Sequence, residues 1–221
     1  MPYEQWHATV VKKAAPVSEA TLYWRVLFFG LVLFGLFYAY TVWMGIPSAL
    51  NKAVADTSII LIGLSMLLSS LCYFWNFVDT KIIYRKHLGL IGYAFGLVHI
   101  GLSFSMFLRL FSAEAWLENP IWPAITAFVA TVIFTIMALV SNTFSAKMLG
   151  GKVWRAILRT GYVAIALIWL HVYLLKSARW LTWWADGMQR PPSLSLLVTI
   201  FMTLVILMRI ALWWSLRRKK V

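Results

Sequence analysis

Residues Tyr23–Trp43 read YWRVLFFGLVLFGLFYAYTVW, 21 positions with one charge, Arg25, near the start. A helix needs about 20 apolar residues to cross the ~30 Å hydrocarbon core of a bilayer, so this stretch is long enough to span one. Five more runs have the same character: Thr57–Val78, Leu88–Phe107, Trp122–Val140, Ile157–Leu175 and Leu194–Trp214. The composition agrees. Of 221 residues, 62% are hydrophobic and 12% charged, against about 45–50% and about 25% in soluble domains. A chain this small cannot hide that much apolar surface from water, which excludes a soluble globular enzyme. The expected fold is an all-α, six-helix membrane bundle, residues 23–216, between a tail at 1–22 and a basic C-terminus at 217–221. The tail lacks a small-residue cleavage pattern and is read as retained.

The net charge of +13 would suggest nucleic acid as the partner of a soluble protein. Here the cations lie between apolar runs, so membrane lipid is the expected partner and nucleic acid is not. The tail, the second and fourth loops and the C-terminus carry thirteen Lys and Arg; the first, third and fifth loops carry five, Lys52, Arg109, Lys176, Arg179 and Arg190. Positive residues stay on the cytoplasmic side, so both termini are expected there and the other loops outside; in a bacterial inner membrane, the expected location, those loops would face the periplasm. The tryptophans mark interfaces, and 176–193 reads as a short surface helix stopped by Pro191 and Pro192. Cys72 is the only cysteine, so no internal disulfide forms. No nucleotide-binding glycine loop, zinc-spaced Cys/His cluster or Ser/His/Asp set is present.

Ionisable groups inside spans are costly and point to function. His99 and His171 fall within spans three and five, while His7 belongs to the tail and His87 reads as a solvated residue at the inner mouth. No acidic residue falls well inside a span on this reading, because Asp56 sits just before span two, and this argues against ion transport. Counting from Arg85 and Arg155 at 1.5 Å per residue, the two span histidines stand roughly 21 and 24 Å deep, level with each other. Two neutral imidazoles at one depth are what a low-spin haem iron needs. Gly89, Gly92 and Gly96 share the face of His99, and Gly161 and Ala164 that of His171, so each offers a groove for a flat macrocycle. The plain alternative is that these small residues let helices pack closely and that each histidine bonds a neighbouring helix.

The words around the histidines resemble the ferric reductase-like transmembrane domain family. Tyr84-Arg85-Lys86-His87-Leu88-Gly89-Leu90 with Val98-His99 is similar to its first signature, and Ser141-Asn142, Leu149-Gly150, Trp154, Tyr162 and Leu170-His171 to its second. The likeness covers residues 55–176 and is nearest to the haem-binding membrane subunit of the bacterial methionine sulfoxide reductase system. It implies a b-type haem between spans three and five, with His99 and His171 as axial ligands and metal-binding residues. It also implies transmembrane electron transport. Arg109, Lys176 and Arg179 are candidate partners for the haem propionates. The pattern departs at the family's inner haem, where Leu158 and Arg85 stand in place of histidines, so one haem b is expected. Seven residues follow the last span, so flavin and nicotinamide chemistry is expected elsewhere. The donor would then be a quinol or a flavoprotein, docked by Arg85, Lys86, Lys147, Lys152 and Arg155, and the acceptor an outer-side redox partner. The alternative is a haemless structural or assembly subunit of a larger membrane complex.

The topology is open to test: a reporter active only in the cytoplasm should work when fused after Val221 or near Gly150. Activity of a periplasm-dependent reporter at either point would reverse the orientation.

Overall fold

The computed structural model describes residues 17–110 and 121–218, without the side chains of 107–110. The Arg109 side chain and the whole of His7 therefore lie outside the described set. Six helices are long and apolar enough to span a membrane. In chain order the helices are α1 (Glu19–Trp43), α2 (Ala49–Phe74), α3 (Arg85–Leu110), α4 (Trp122–Val140), α5 (Thr143–Arg159), α6 (Gly161–Ala185) and α7 (Leu194–Arg218). A 3₁₀ segment, Asn76–Tyr84, joins α2 to α3. Among the described residues there is no strand. Six crossings return the chain to the face from which α1 starts. That face is called proximal here, and the face where α2 and α4 begin distal.

Two boundaries differ from the hydropathy reading. α2 begins eight residues before Thr57 and ends before Trp75, whose extended backbone (φ −136°, ψ 105°) stops it. Lys52 and Asp56 thus belong to the helix, one turn apart. Asp56 is buried, which corrects the expectation that no acidic residue falls inside a span. The fifth span is divided at Thr160. α5 before it has no buried residue, and α6 after it runs unbroken to Ala185, through the stretch expected to form a separate surface helix. No breaker intervenes until Gly187 (φ +72°) and Met188 (φ 58°) turn the chain. Trp183 ties that turn down by donating from Nε1 to the Arg190 carbonyl at 2.7 Å.

α2 is the spine. In its most apolar stretch 67% of residues are buried, against 11–22% in the other five spans. Its buried face is built of small side chains, among them Ser58, Gly63, Ser65, Ser69 and Ser70. Small residues let helices approach closely where lipid supplies no hydrophobic drive between them. Ser58 Oγ donates to the Gly92 carbonyl at 2.7 Å and Ser65 Oγ to the Arg85 carbonyl at 2.6 Å. α3 lies along α2, and α6 lies along α4, while these two pairs touch each other little. α1 covers α2 and α3, and α7 bridges α2 and α6. Outward side chains such as Phe28, Leu36, Phe128, Leu139 and Ile200 stay exposed and meet lipid.

Gly92 is the tightest point of the α2–α3 contact. A Cβ there would stand 2.8 Å from Ile62 Cγ1, 2.9 Å from the Ile62 backbone nitrogen and 3.0 Å from Leu61 Cβ. Gly92→Val should therefore lower stability by about 1–3 kcal/mol in detergent thermal unfolding. Gly35→Val, where nothing lies within 4 Å of the added atom, is the matched control. Equal melting points for the two variants would show that the contact carries no such strain.

Candidate functional site

The space between the α2–α3 and α4–α6 pairs is a cavity of about 970 Å³, near the upper end of the size range of ligand pockets. His99 and His171 both line it. His99 Nδ1 lies 2.7 Å from Asn51 Oδ1 and 3.3 Å from the Asn51 carbonyl oxygen, in the first turn of α2. His171 Nδ1 lies 2.8 Å from the carbonyl oxygen of Pro123, in the first turn of α4. A carbonyl oxygen only accepts, so the proton of each neutral ring sits on Nδ1 and the lone pair on Nε2. Neither Nε2 has a protein partner among the described residues. Because α2 and α4 both start at the distal face, the two anchors hold the histidines in the distal part of the bundle.

A second ring nitrogen fixed by an outer acceptor, which sets tautomer and orientation, is a feature that metal-ligating histidines share. The deep end of the cavity is closed by Tyr93, whose hydroxyl is 2.8 Å from Thr135 Oγ1, together with Ile62 and Phe134. Its distal end is polar, with Asn51, Lys52, Asp56, Lys176, Arg179 and Ser195. Among the described residues no three His, Cys, Asp or Glu side chains gather at one point. A metal held by these two imidazoles would thus take its remaining ligands from a cofactor.

The small residues expected to line grooves have another task. A Cβ on Gly89 would meet Ser65 Oγ at 3.1 Å, one on Gly92 would meet α2 as above, and one on Gly161 would meet Met137 and Met66. Ala164 is fully buried and, like Gly92, does not line the cavity; Gly96 does, although a Cβ there would stand 3.0 Å from Ser58 Oγ. Gly89, Gly92 and Gly161 bring helices together, and the cavity comes from the separation of the two helix pairs.

His87 is not the solvated loop residue expected from its position. It is buried in the first turn of α3, with Nε2 2.9 Å from Glu19 Oε2, Nδ1 3.2 Å from the Ile83 carbonyl and its ring edge-on to Tyr23 at 4.5 Å. Glu19 also takes Lys86 Nζ at 3.0 Å. Both nitrogens of His87 are engaged, so it clamps α1 to α3. A second, smaller cavity of about 390 Å³ at the proximal end is lined by Arg85 and Leu158, with no histidine among the described residues on its wall.

The residues missed in the sequence are Asn51, Pro123 and Asp56. Pro47-Ser48 is a helix-start signal that could have moved the start of α2 forward and shown Lys52 and Asp56 at i, i+4 spacing. The acceptor role of the Pro123 carbonyl has no signal in its side chain.

Glu19→Ala should cost about 1–3 kcal/mol, because it strips the partner from a buried ring nitrogen. Detergent melting would register that loss, and an unchanged midpoint would remove the clamp. No protein-family model matches the chain, and no curated protein matches it.

Proposed function

We propose that the protein is a b-type cytochrome subunit that carries electrons across its membrane through one haem held by His99 and His171. The observation that supports this most is the pair of imidazoles, each with Nδ1 committed to a fixed oxygen and Nε2 free on one shared cavity. A haem bound there would supply one-electron chemistry through its iron, at a potential set by axial ligands, burial and charge. Asn51 and Pro123 orient the ligands and make them more basic. Lys52, Lys176 and Arg179 at the distal end of the cavity suit carboxylate substituents. The resemblance to ferric reductase-like transmembrane domains supports the same ligand pair.

The histidine-free wall of the proximal cavity supports one haem and not two. The electron donor in this reading is a quinol or a cytoplasmic flavoprotein, and the acceptor a partner at the distal, periplasmic face of a bacterial inner membrane.

The purified protein should show sharp b-type bands in a reduced-minus-oxidised spectrum and one haem per chain by pyridine haemochrome assay. His99→Ala and His171→Ala should each abolish the low-spin bands, since one imidazole leaves the iron's sixth position open. Asn51→Leu should weaken haem retention about 10–100-fold, while His87→Gln should leave the spectrum in place. A protein without such bands is the haemless scaffold, and unchanged bands in His171→Ala would mean that another residue binds the iron.

A further inference from the structure

Asp56 is 8% exposed and lies on the wall of the cavity that holds His99 and His171. A buried carboxylate in a membrane interior is costly, and it persists where paired or where it functions. Among the described residues Asp56 has neither an ion pair nor a hydrogen bond of its own, although Lys52 lies one helical turn away. The charged and titratable groups that share its cavity wall among the described residues are Lys52 on its own helix, Tyr93 and His99 on α3, and His171, Lys176 and Arg179 on α6, with none from α4. From α1 and α7 the cavity receives only uncharged side chains, Thr41, Leu194, Ser195 and Met202. The cations hold the carboxylate near the distal face without closing a contact on it, so one position on its oxygens stays open toward the cavity. On the haem reading His99 and His171 do not take that role, because Nδ1 already carries its proton toward Asn51 or Pro123 and the Nε2 lone pair that would accept another is the one that would hold the iron.

We infer that Asp56 is the proton-binding group of this cavity, taking up one proton when the metal centre between His99 and His171 gains one electron. The inference rests on the haem reading above. The balance is one electron to ferric iron, giving ferrous iron, and one proton from the distal aqueous side to the Asp56 carboxylate, giving the carboxylic acid. Reduction adds a negative charge to a low-dielectric space, and a proton on Asp56, the one carboxylate among the described residues that line the cavity, compensates it. The electron comes from the quinol or flavin donor in the membrane, or from dithionite in the assay. Asp56 is here a positioning group for charge, not an iron ligand.

The test is a mediator-coupled redox titration of the visible bands of the full-length protein in lipid nanodiscs at a series of pH values. In the wild type the midpoint potential should fall with rising pH across one window, with a limiting slope of about 59 mV per tenfold change in proton concentration. Asp56→Asn, close in shape and unable to take the proton, should keep the bands and flatten the slope. A slope unchanged in Asp56→Asn would assign the proton to the haem propionates and overturn the inference, as would a flat wild-type potential with intact bands. Should the Asn variant fail to fold, Asp56→Glu decides. It must keep the slope and shift the protonated-carboxyl band that appears on reduction in infrared difference spectra, and an unmoved band overturns the assignment. Absence of b-type bands from the wild type would instead overturn the haem reading itself.

Discussion

The close approach of α2 to α3 is the constraint on which the rest of this structure depends. In hydrocarbon no water satisfies a stray hydroxyl or carbonyl, so polar groups of a span must find partners inside the protein. Ser58 and Ser65 of α2 find theirs on the backbone of α3, at the Gly92 and Arg85 carbonyls, and the glycines of α3 remove the side chains that would hold the helices apart. That approach brings the first turn of α2 beside the distal half of α3, so that Asn51 reaches both Ser103 and His99. One packing decision therefore fixes the orientation of the His99 imidazole, two helical turns from Gly92.

A second pair, α4 and α6, repeats the logic with different chemistry. Gly161 accepts Met137 and Met66 in the place of a side chain, and His171 bonds the Pro123 carbonyl at the start of α4. The two pairs are stiff units with little contact between them, and the space left over is the cavity. Close packing within pairs and separation between pairs are both required. A uniformly packed bundle would leave no room for a cofactor, and a uniformly loose one would not hold two imidazoles to a single tautomer.

The charged groups follow the same division. At the proximal face Glu19, Lys86 and His87 satisfy one another and tie α1 to α3, which is a structural use of ionisable side chains. At the distal face Lys52, Asp56, Lys176 and Arg179 gather around a cavity without an ion pair between them among the described residues. Membranes tolerate such groups beside water-filled or ligand-filled space, and the described distal cavity is such a space.

The sequence by itself determined the number of spans, the helical class and the two histidines worth pursuing. The reason is that hydropathy over 20 residues and an ionisable group within it are local properties. Only the tertiary structure decided what the glycines do, because a residue's face on a helix does not say which neighbour that face meets. It likewise decided the fate of His87, whose partner Glu19 lies 68 positions away in the chain. Asp56 was hidden because its charge and that of Lys52 made an early helical turn look like a loop; in the folded bundle both face a cavity instead of lipid. The acceptor for His171 is a backbone carbonyl, a group every residue carries, so no reading of side chains could have singled it out.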